Sequence, residues 1–238
     1  MGENIQTKYD DFYKDNDWKN ISFITRKKTS VFLNISKTIT KSKYKSVLDA
    51  GCGKGIYTFI LNNSKYKAKG FDFSETAIEQ AKKKYKNIDY RKLDGFALDY
   101  KEKFDLIFAN GFSPFNTTDF EKSTELVEYW KDFLNDDGSV LIVTRTNFTQ
   151  ESPSGWIFLS EPQLSEIYNK DNLNKEIVYL YSKFWMLISL FPKSRLIINF
   201  VSYISKNIFA KKLKIPVSAL IILTKNERKI LKKNISKE

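Results

Sequence analysis

Between about residues 46 and 225, short runs of β-branched and aliphatic residues alternate with longer polar-apolar segments. This rhythm is that of strand–helix–strand units with parallel strands, because a parallel crossover needs a connection of helix length. Seven strands are predicted, over residues 46–50, 68–72, 88–93, 104–109, 139–144, 177–181 and 219–224. The run from Phe104 to Ala109 is almost continuously apolar, as a strand covered on both faces must be, and belongs at the centre of the sheet. Helices are predicted over 56–62 and 75–85; in the second, Ala77, Ile78, Ala81 and Tyr85 recur at helical spacing behind the N-cap Ser74. A third, over 120–134, is expected to close at Asp137-Gly138 and feed the fifth strand. Residues 21–41 read as a helix. The lead before them, with Tyr9, Phe12, Tyr13 and Trp18, is expected to help cover one sheet edge.

Between the last two strands the chain runs for roughly 35 residues, more than a compact α/β connection needs. Residues 183–214 hold Phe184, Trp185, Met186, Leu187, Phe191, Phe200, Tyr203 and Phe209, broken by Pro192 and followed by Lys206, Lys211, Lys212 and Lys214. Two helices forming a cap over the sheet are expected. Their basic and aromatic residues leave two readings open, a packed cap with a solvated lysine face or a surface for RNA or an anionic membrane. The most apolar stretch, 184–191, is too short to span a bilayer and is stopped by Pro192, Lys193 and Arg195. The organisation read from this is a helical lead over 1–45, a ligand-binding core over 46–176, completion of the sheet with the cap over 177–225, and a basic tail over 226–238, itself a frayed helix.

Composition narrows the chemistry. Lys and Arg number 40 against 28 Asp and Glu, a net charge of +12 that attracts anions without naming one; the abundance of Lys with Asn and Ile equally fits a biased genome composition. The chain contains no histidine, which removes the usual general base and any histidine-rich metal site, so a metal-dependent hydrolase is excluded and no metal is expected. Its single cysteine, Cys52, cannot form an intrachain disulfide and has no histidine to activate it, so it reads as a small loop residue in a reducing, cytoplasmic setting. The first ten residues lack the basic start and apolar core of a secretory signal.

The strongest local pattern is Val47-Leu48-Asp49-Ala50-Gly51-Cys52-Gly53-Lys54-Gly55, a strand ending in an acid and then a loop with glycine at alternate positions that opens into a helix. Glycines there let the backbone turn sharply beneath a ligand that side chains would displace. Asp72, at the end of the second strand, is placed to accept both hydroxyls of a ribose. A nicotinamide-dependent oxidoreductase would carry Gly-x-Gly-x-x-Gly, whereas Ile56 occupies the last glycine position of that fingerprint.

With these features the sequence resembles the class I S-adenosylmethionine-dependent methyltransferases. The resemblance covers about residues 46–144 and recurs at 219–224. It implies a Rossmann-like α/β fold with a seven-stranded, mostly parallel sheet, helices on both faces and a helical insertion before the last strand. It implies S-adenosyl-L-methionine as cofactor and S-adenosyl-L-homocysteine as product. Asp49, Gly51, Cys52, Gly53 and Gly55 would form the first motif. Gly70 to Ser74 look like the second, with Asp72 on the ribose and Phe73 beside the adenine; Asp94, Gly95 and Phe96 look like the third, with Asp94 at the adenine amino group; Asn110, Gly111 and Phe112 would lie by the methionine portion.

The acceptor is not set by these motifs. A sugar hydroxyl would need a carboxylate base, whereas a phosphate, phosphoramidate or carboxylate would need none, and the net charge favours an anion. Asn110, Ser113, Arg145, Asn147 and Glu161 are candidates for its contacts, since all fall near carboxyl ends of strands. A small-molecule acceptor in bacterial surface polysaccharide building is the reading by analogy, against an RNA or protein methyltransferase or an inactive nucleotide-binding module. Asn110-Gly111-Phe112-Ser113-Pro114-Phe115 departs from the Asn-Pro-Pro-aromatic signature of methyltransferases acting on bases or glutamine, which lowers the nucleic-acid reading.

Overall fold

A computed structural model describes residues 10–11, 13–14, 23–149, 157–168 and 173–225. The predicted tail helix, and Tyr9, Phe12 and Trp18 of the lead, lie outside these residues. Seven strands form one sheet: β1 Ser46–Ala50, β2 Lys67–Asp72, β3 Tyr90–Lys92, β4 Phe104–Asn110, β5 Leu134–Thr146, β6 Leu173–Leu180 and β7 Val217–Lys225. Their order is β3-β2-β1-β4-β5-β7-β6, with β1, β2, β3, β4 and β5 parallel to one another and β7 antiparallel to both β5 and β6. The direction of winding reverses between β1 and β4, and open α/β sheets bind ligands outside the carboxyl ends at such a point.

The helices are α1 Phe23–Thr40, α2 Ile56–Asn63, α3 Glu75–Lys84, α4 Phe120–Trp130, α5 Glu161–Glu166, α6 Trp185–Leu190 and α7 Arg195–Ile204, the last continued by π-helical turns over Ser205–Lys212. The buried side chains fall into two layers because successive strand residues point to opposite faces. On one face Leu48, Ala50, Ile107, Ala109, Val140, Ile142, Ala219 and Ile221 pack under α4 and α5. On the other, Val47, Leu106, Phe108, Leu141, Val143, Leu220 and Ile222 pack against Val31, Phe32, Leu33 and Ile35 of α1, Ile188 of α6, and Ile198 and Val201 of α7. Helix α1, expected over 21–41, thus covers the middle of a face. The reason is its stripe of fully buried apolar residues, reinforced by a hydroxyl chain from Ser36 through Tyr44 to Ser139 of β5, both links 2.7 Å.

A second departure concerns the fifth strand. The helix expected over 120–134 ends at Trp130, a 3-10 turn takes Lys131–Phe133, and β5 already begins at Leu134. Leu134 pairs with Phe104 but Ser139 pairs with Leu106, so residues 135–138 bulge from the ladder. Asp105 holds the bulge: its carboxylate accepts from Asn135 Nδ2 at 2.6 Å and from the backbone N–H groups of Lys45 and Ser46 at 2.7 and 2.9 Å. The third strand is also shorter than expected, three residues in place of six, and among the described residues its one sheet neighbour is β2.

Candidate active site

The register carries the ends of β1, β2 and β4 to one line: Ala50 pairs with both Phe71 and Ala109, and Asn110 pairs with Val143. Beyond Ala50 the chain turns through Gly51 at φ +70°, where the N–H groups of Gly51 and Cys52 both donate to Phe71 O at 2.9 Å. The Phe112 ring lies against this turn so closely that a Cβ at Gly51 would sit 2.4 Å from its Cδ2. That ring stacks on Trp130, with centroids 5.6 Å apart, and Trp130 Nε1 donates to Gly95 O at 2.9 Å. The first motif, the third motif and the turn after β4 therefore meet at one aromatic cluster.

Asp72 is buried and its carboxylate reaches across to the loop: Oδ2 accepts from Gly53 N–H at 2.9 Å and Oδ1 from Ser74 N–H at 2.9 Å. Ser74 caps α3 by accepting from Ala77 N–H, as its position predicts, and its hydroxyl also donates to Asp10. Tyr13 lies over the loop, its Oη 2.7 Å from where a Cβ on Gly53 would be, and its carbonyl accepts from Gln80. A piece of the N-terminal lead is thus pinned above the glycine loop, which sequence spacing did not foretell.

Asp49 lies beneath the loop, 1 % exposed, accepting from Thr58 Oγ1 of α2 at 2.6 Å. Burial pushes its carboxyl up to about 7, against the Thr58 hydrogen bonds that pull it down. Between its ordinary value near 3.8 and that value the folded protein holds a proton the unfolded chain has lost, so this group lowers stability as pH rises through the window. Asp49→Asn keeps an oxygen for Thr58 and removes the titration. Its melting temperature is expected to gain on the wild type as pH goes from about 5 to about 7.5, the difference in stability growing by up to about 1.4 kcal/mol for each pH unit crossed. Parallel melting temperatures across that range would show that Asp49 is ionised throughout. Cys52 is buried, its thiol pushed up by burial and by Asp49 and Asp72, which leaves it unreactive.

Two cavities flank the Asn110–Phe112 turn. One, of about 500 Å³, is lined by Phe73, Leu93, Asp94, Gly95, Phe96 and Phe112 together with Ser113. Asp94 is exposed there, its Oδ1 accepting from Phe96 N–H at 2.9 Å, which fixes the loop. The other, of about 530 Å³, is lined by Lys28 and Phe32 of α1, Tyr57, Asn110, Gly111, Thr144, Arg145, Ser182 and Ser218. Among the described residues its formal charges are Lys28 and Arg145, with no carboxylate in the lining. Tyr57 is hydrogen-bonded with Asn110 and raised by burial, so it stays a neutral phenol.

Of the acceptor candidates, Asn110 and Arg145 line the second cavity and Ser113 the first. Asn147 turns away, donating to Lys214 O at 3.1 Å. Glu161 is held by Lys206 and Lys211, both at 2.5 Å, which keep its carboxyl below the usual range. It is drawn to the cap's lysines and lines neither cavity. Lys28, Phe32, Tyr57, Ser182 and Ser218 carry no motif that marks them in the sequence. Tyr57 alone had a signal, its place in the first turn of the helix after the glycine loop.

Residues 41–231 match a family model described as a methyltransferase domain, and the chain belongs to that family. Solved structures agree in fold. The plantazolicin methyltransferase BamL, in complex with a triazolic desmethylPZN analog and SAH, is 17 % identical with a TM-score of 0.60, over 92 % of this chain and 90 % of that one. A S-adenosylmethionine-dependent methyltransferase from Clostridium acetobutylicum ATCC 824 is 14 % identical with a TM-score of 0.59, over 92 % and 98 %. The N-methyltransferase NodS from Bradyrhizobium japonicum WM9, in complex with S-adenosyl-L-homocysteine, is 16 % identical with a TM-score of 0.59, over 94 % and 98 %. The fold is the Rossmann-like one of class I methyltransferases. No curated protein matches the chain significantly. Among the described residues no helix is long and apolar enough to cross a membrane.

Proposed function

We propose that the protein transfers the methyl group of S-adenosyl-L-methionine to an ionised oxygen of a small anionic acceptor held in the cavity between α1 and the ends of β4, β5 and β7. The observation that carries this reading is the lining of that cavity, which among the described residues has two cations, Lys28 and Arg145, and no carboxylate. The residues of the neighbouring crevice suit the cofactor. Asp72 has lone pairs left for a ribose diol after serving Gly53 and Ser74, and Gly95 leaves open the space beside Phe112 that an added Cβ would crowd at 3.3 Å. Asp94 and Phe73 line the place for an adenine, and Asn110 to Phe112 the place for the methionine end.

When bound, S-adenosylmethionine supplies a methyl carbon on a sulfonium: an acceptor lone pair forms the new bond to carbon as the C–S bond breaks, its electron pair going to sulfur. An anionic oxygen has no proton to lose, so a lining without a base is sufficient. Lys28 and Arg145 hold the acceptor by charge, and Arg145 is able to grip a carboxylate or phosphate with two parallel N–H donors. Tyr57 and Asn110 line the same cavity, and alignment of the reacting atoms is the main contribution the protein makes. An acidic or phosphorylated sugar of the kind used in surface polysaccharide building meets this description.

Methyl transfer to a panel of uronic acids, sugar phosphates and neutral sugars tests the reading. Anionic members are expected to be methylated, with Arg145→Ala raising their KM at least tenfold while affinity for S-adenosylhomocysteine stays unchanged, as removal of a charge-assisted contact outside the donor crevice requires. Equal turnover of neutral sugars, or an unchanged KM in Arg145→Ala, would sink the anionic assignment.

A further inference from the structure

The cap has an outer face that the fold does not use. In α7, Ile198 and Val201 face the sheet, while Leu196, Phe200 and Tyr203, at helical spacing on the opposite side, are 82, 59 and 65 % exposed. In α6, Ile188 is buried and Met186 and Leu190 project outward, Leu190 at 73 % exposure. Phe191, Ile208 and Leu213 extend the exposed set along the cap. Phe23 and Ile24 at the start of α1 join it, Phe23 meeting Trp185 of α6 edge to face at 6.5 Å. A helix that only covers a sheet carries polar residues on its outer side. Exposed apolar side chains grouped in this way mark a contact surface.

Charge identifies what the surface meets. From Ser182 to Pro216 the chain has six lysines and one arginine and no acidic residue. Arg195 is paired with Glu176, and Lys206 and Lys211 with Glu161, all outside that stretch. Lys183, Lys193, Lys212 and Lys214 are exposed and make no ion pair among the described residues. A second copy of this chain would oppose one acid-free basic face with another. Stacking of nucleic-acid bases calls for aromatic platforms, whereas Met186, Leu190, Leu196, Ile208 and Leu213 are aliphatic. Aliphatic and aromatic side chains rimmed by lysine are the composition that settles into the boundary between acyl chains and anionic headgroups.

We propose that the outer face of α6, α7 and the turns after them docks the protein on an anionic lipid bilayer. Ser182 and Pro216, the two feet of the cap, line the cationic cavity, so a docked protein holds that cavity next to the membrane surface. The docking stands on the cap alone and does not depend on the methyl acceptor proposed above.

The test is co-sedimentation of the full chain with vesicles of phosphatidylcholine alone and of phosphatidylcholine with phosphatidylglycerol, in low salt. Binding to the anionic vesicles is expected to be at least tenfold the stronger, and to fall at least tenfold in Leu196→Asp/Phe200→Asp and in Lys193→Glu/Lys212→Glu/Lys214→Glu. Calorimetric titration with S-adenosylhomocysteine on the same samples reports whether the variants are folded, and keeps a failure of the donor assignment separate from a failure of docking. Equal binding to both vesicles, no binding to either, or unchanged binding in both variants overturns the proposal. So does a dimer in light scattering that the Leu196→Asp/Phe200→Asp variant dissolves, or binding to RNA that outcompetes the anionic vesicles.

Discussion

Asp72→Ala is expected to weaken binding of S-adenosylhomocysteine about 100-fold. A carboxylate offers about four acceptor positions. In Asp72 one is taken by Gly53 N–H and one by Ser74 N–H, which fixes the group and leaves the others for two ribose hydroxyls. Hydrogen bonds to a charged group are worth about 1.5–3 kcal/mol each, and tenfold in affinity corresponds to about 1.4 kcal/mol, so loss of the pair at the lower of these values already accounts for a factor of that size. Truncation also strands two buried N–H donors and should lower the melting temperature by several degrees. Asp72→Asn, which keeps one acceptor oxygen, should recover part of the affinity. Calorimetry on both variants decides the matter, and an unchanged affinity in Asp72→Ala would remove the ribose from this position.

The largest expected effect on stability comes from Gly55→Val. Gly55 stands before α2 with φ +76°, and a Cβ there would come within 2.6 Å of the Tyr90 hydroxyl, which donates to Gly55 O at 3.1 Å. Tyr90 is 2 % exposed and packed among Cys52, Ile78, Ala81 and Tyr85, so it has nowhere to retreat. Left-handed backbone costs an L-residue about 1–2 kcal/mol, and overpacking adds about 1–3 kcal/mol more. The sum is a large part of the stability of an ordinary domain, so Gly55→Val should be recovered largely unfolded. Gly95→Ala is the contrast: the added carbon would meet Phe112 at 3.3 Å and Leu126 at 3.4 Å without a left-handed backbone, so its melting temperature should change little. A Gly55→Val protein that melts with the wild type in circular dichroism would refute the conformation assigned to the loop.

The parts legible in the sequence are those whose cause is local. Phe104 to Ala109 announces a central strand because both faces are buried, and the run from Val47 to Gly55 announces a strand, turn and helix because glycine takes such turns without strain. What escaped depends on partners distant in sequence. Nothing near residue 135 says that Asp105 will draw Asn135 out of the ladder, and the apolar stripe of α1 does not say which part of the sheet it will cover. The cationic cavity is harder still, since Lys28, Tyr57, Arg145, Ser182 and Ser218 come from five separate stretches and meet only when the sheet has assembled. Asp72 was readable from spacing; its bond to Gly53 N–H was not, because a side chain's direction is not a property of its position in the chain.

The antiparallel pairing of β6 with β7 bears on how such proteins diversify. Leu180 and Ser218 are direct partners in that pair, so the whole cap leaves and returns at a single rung of the ladder, a hairpin loop of unusual size. The free-energy cost of lengthening a loop grows only slowly with its length. A lineage can therefore vary the length and the outer residues of this segment freely, so long as side chains in the places of Ile188, Ile198 and Val201 still cover the sheet.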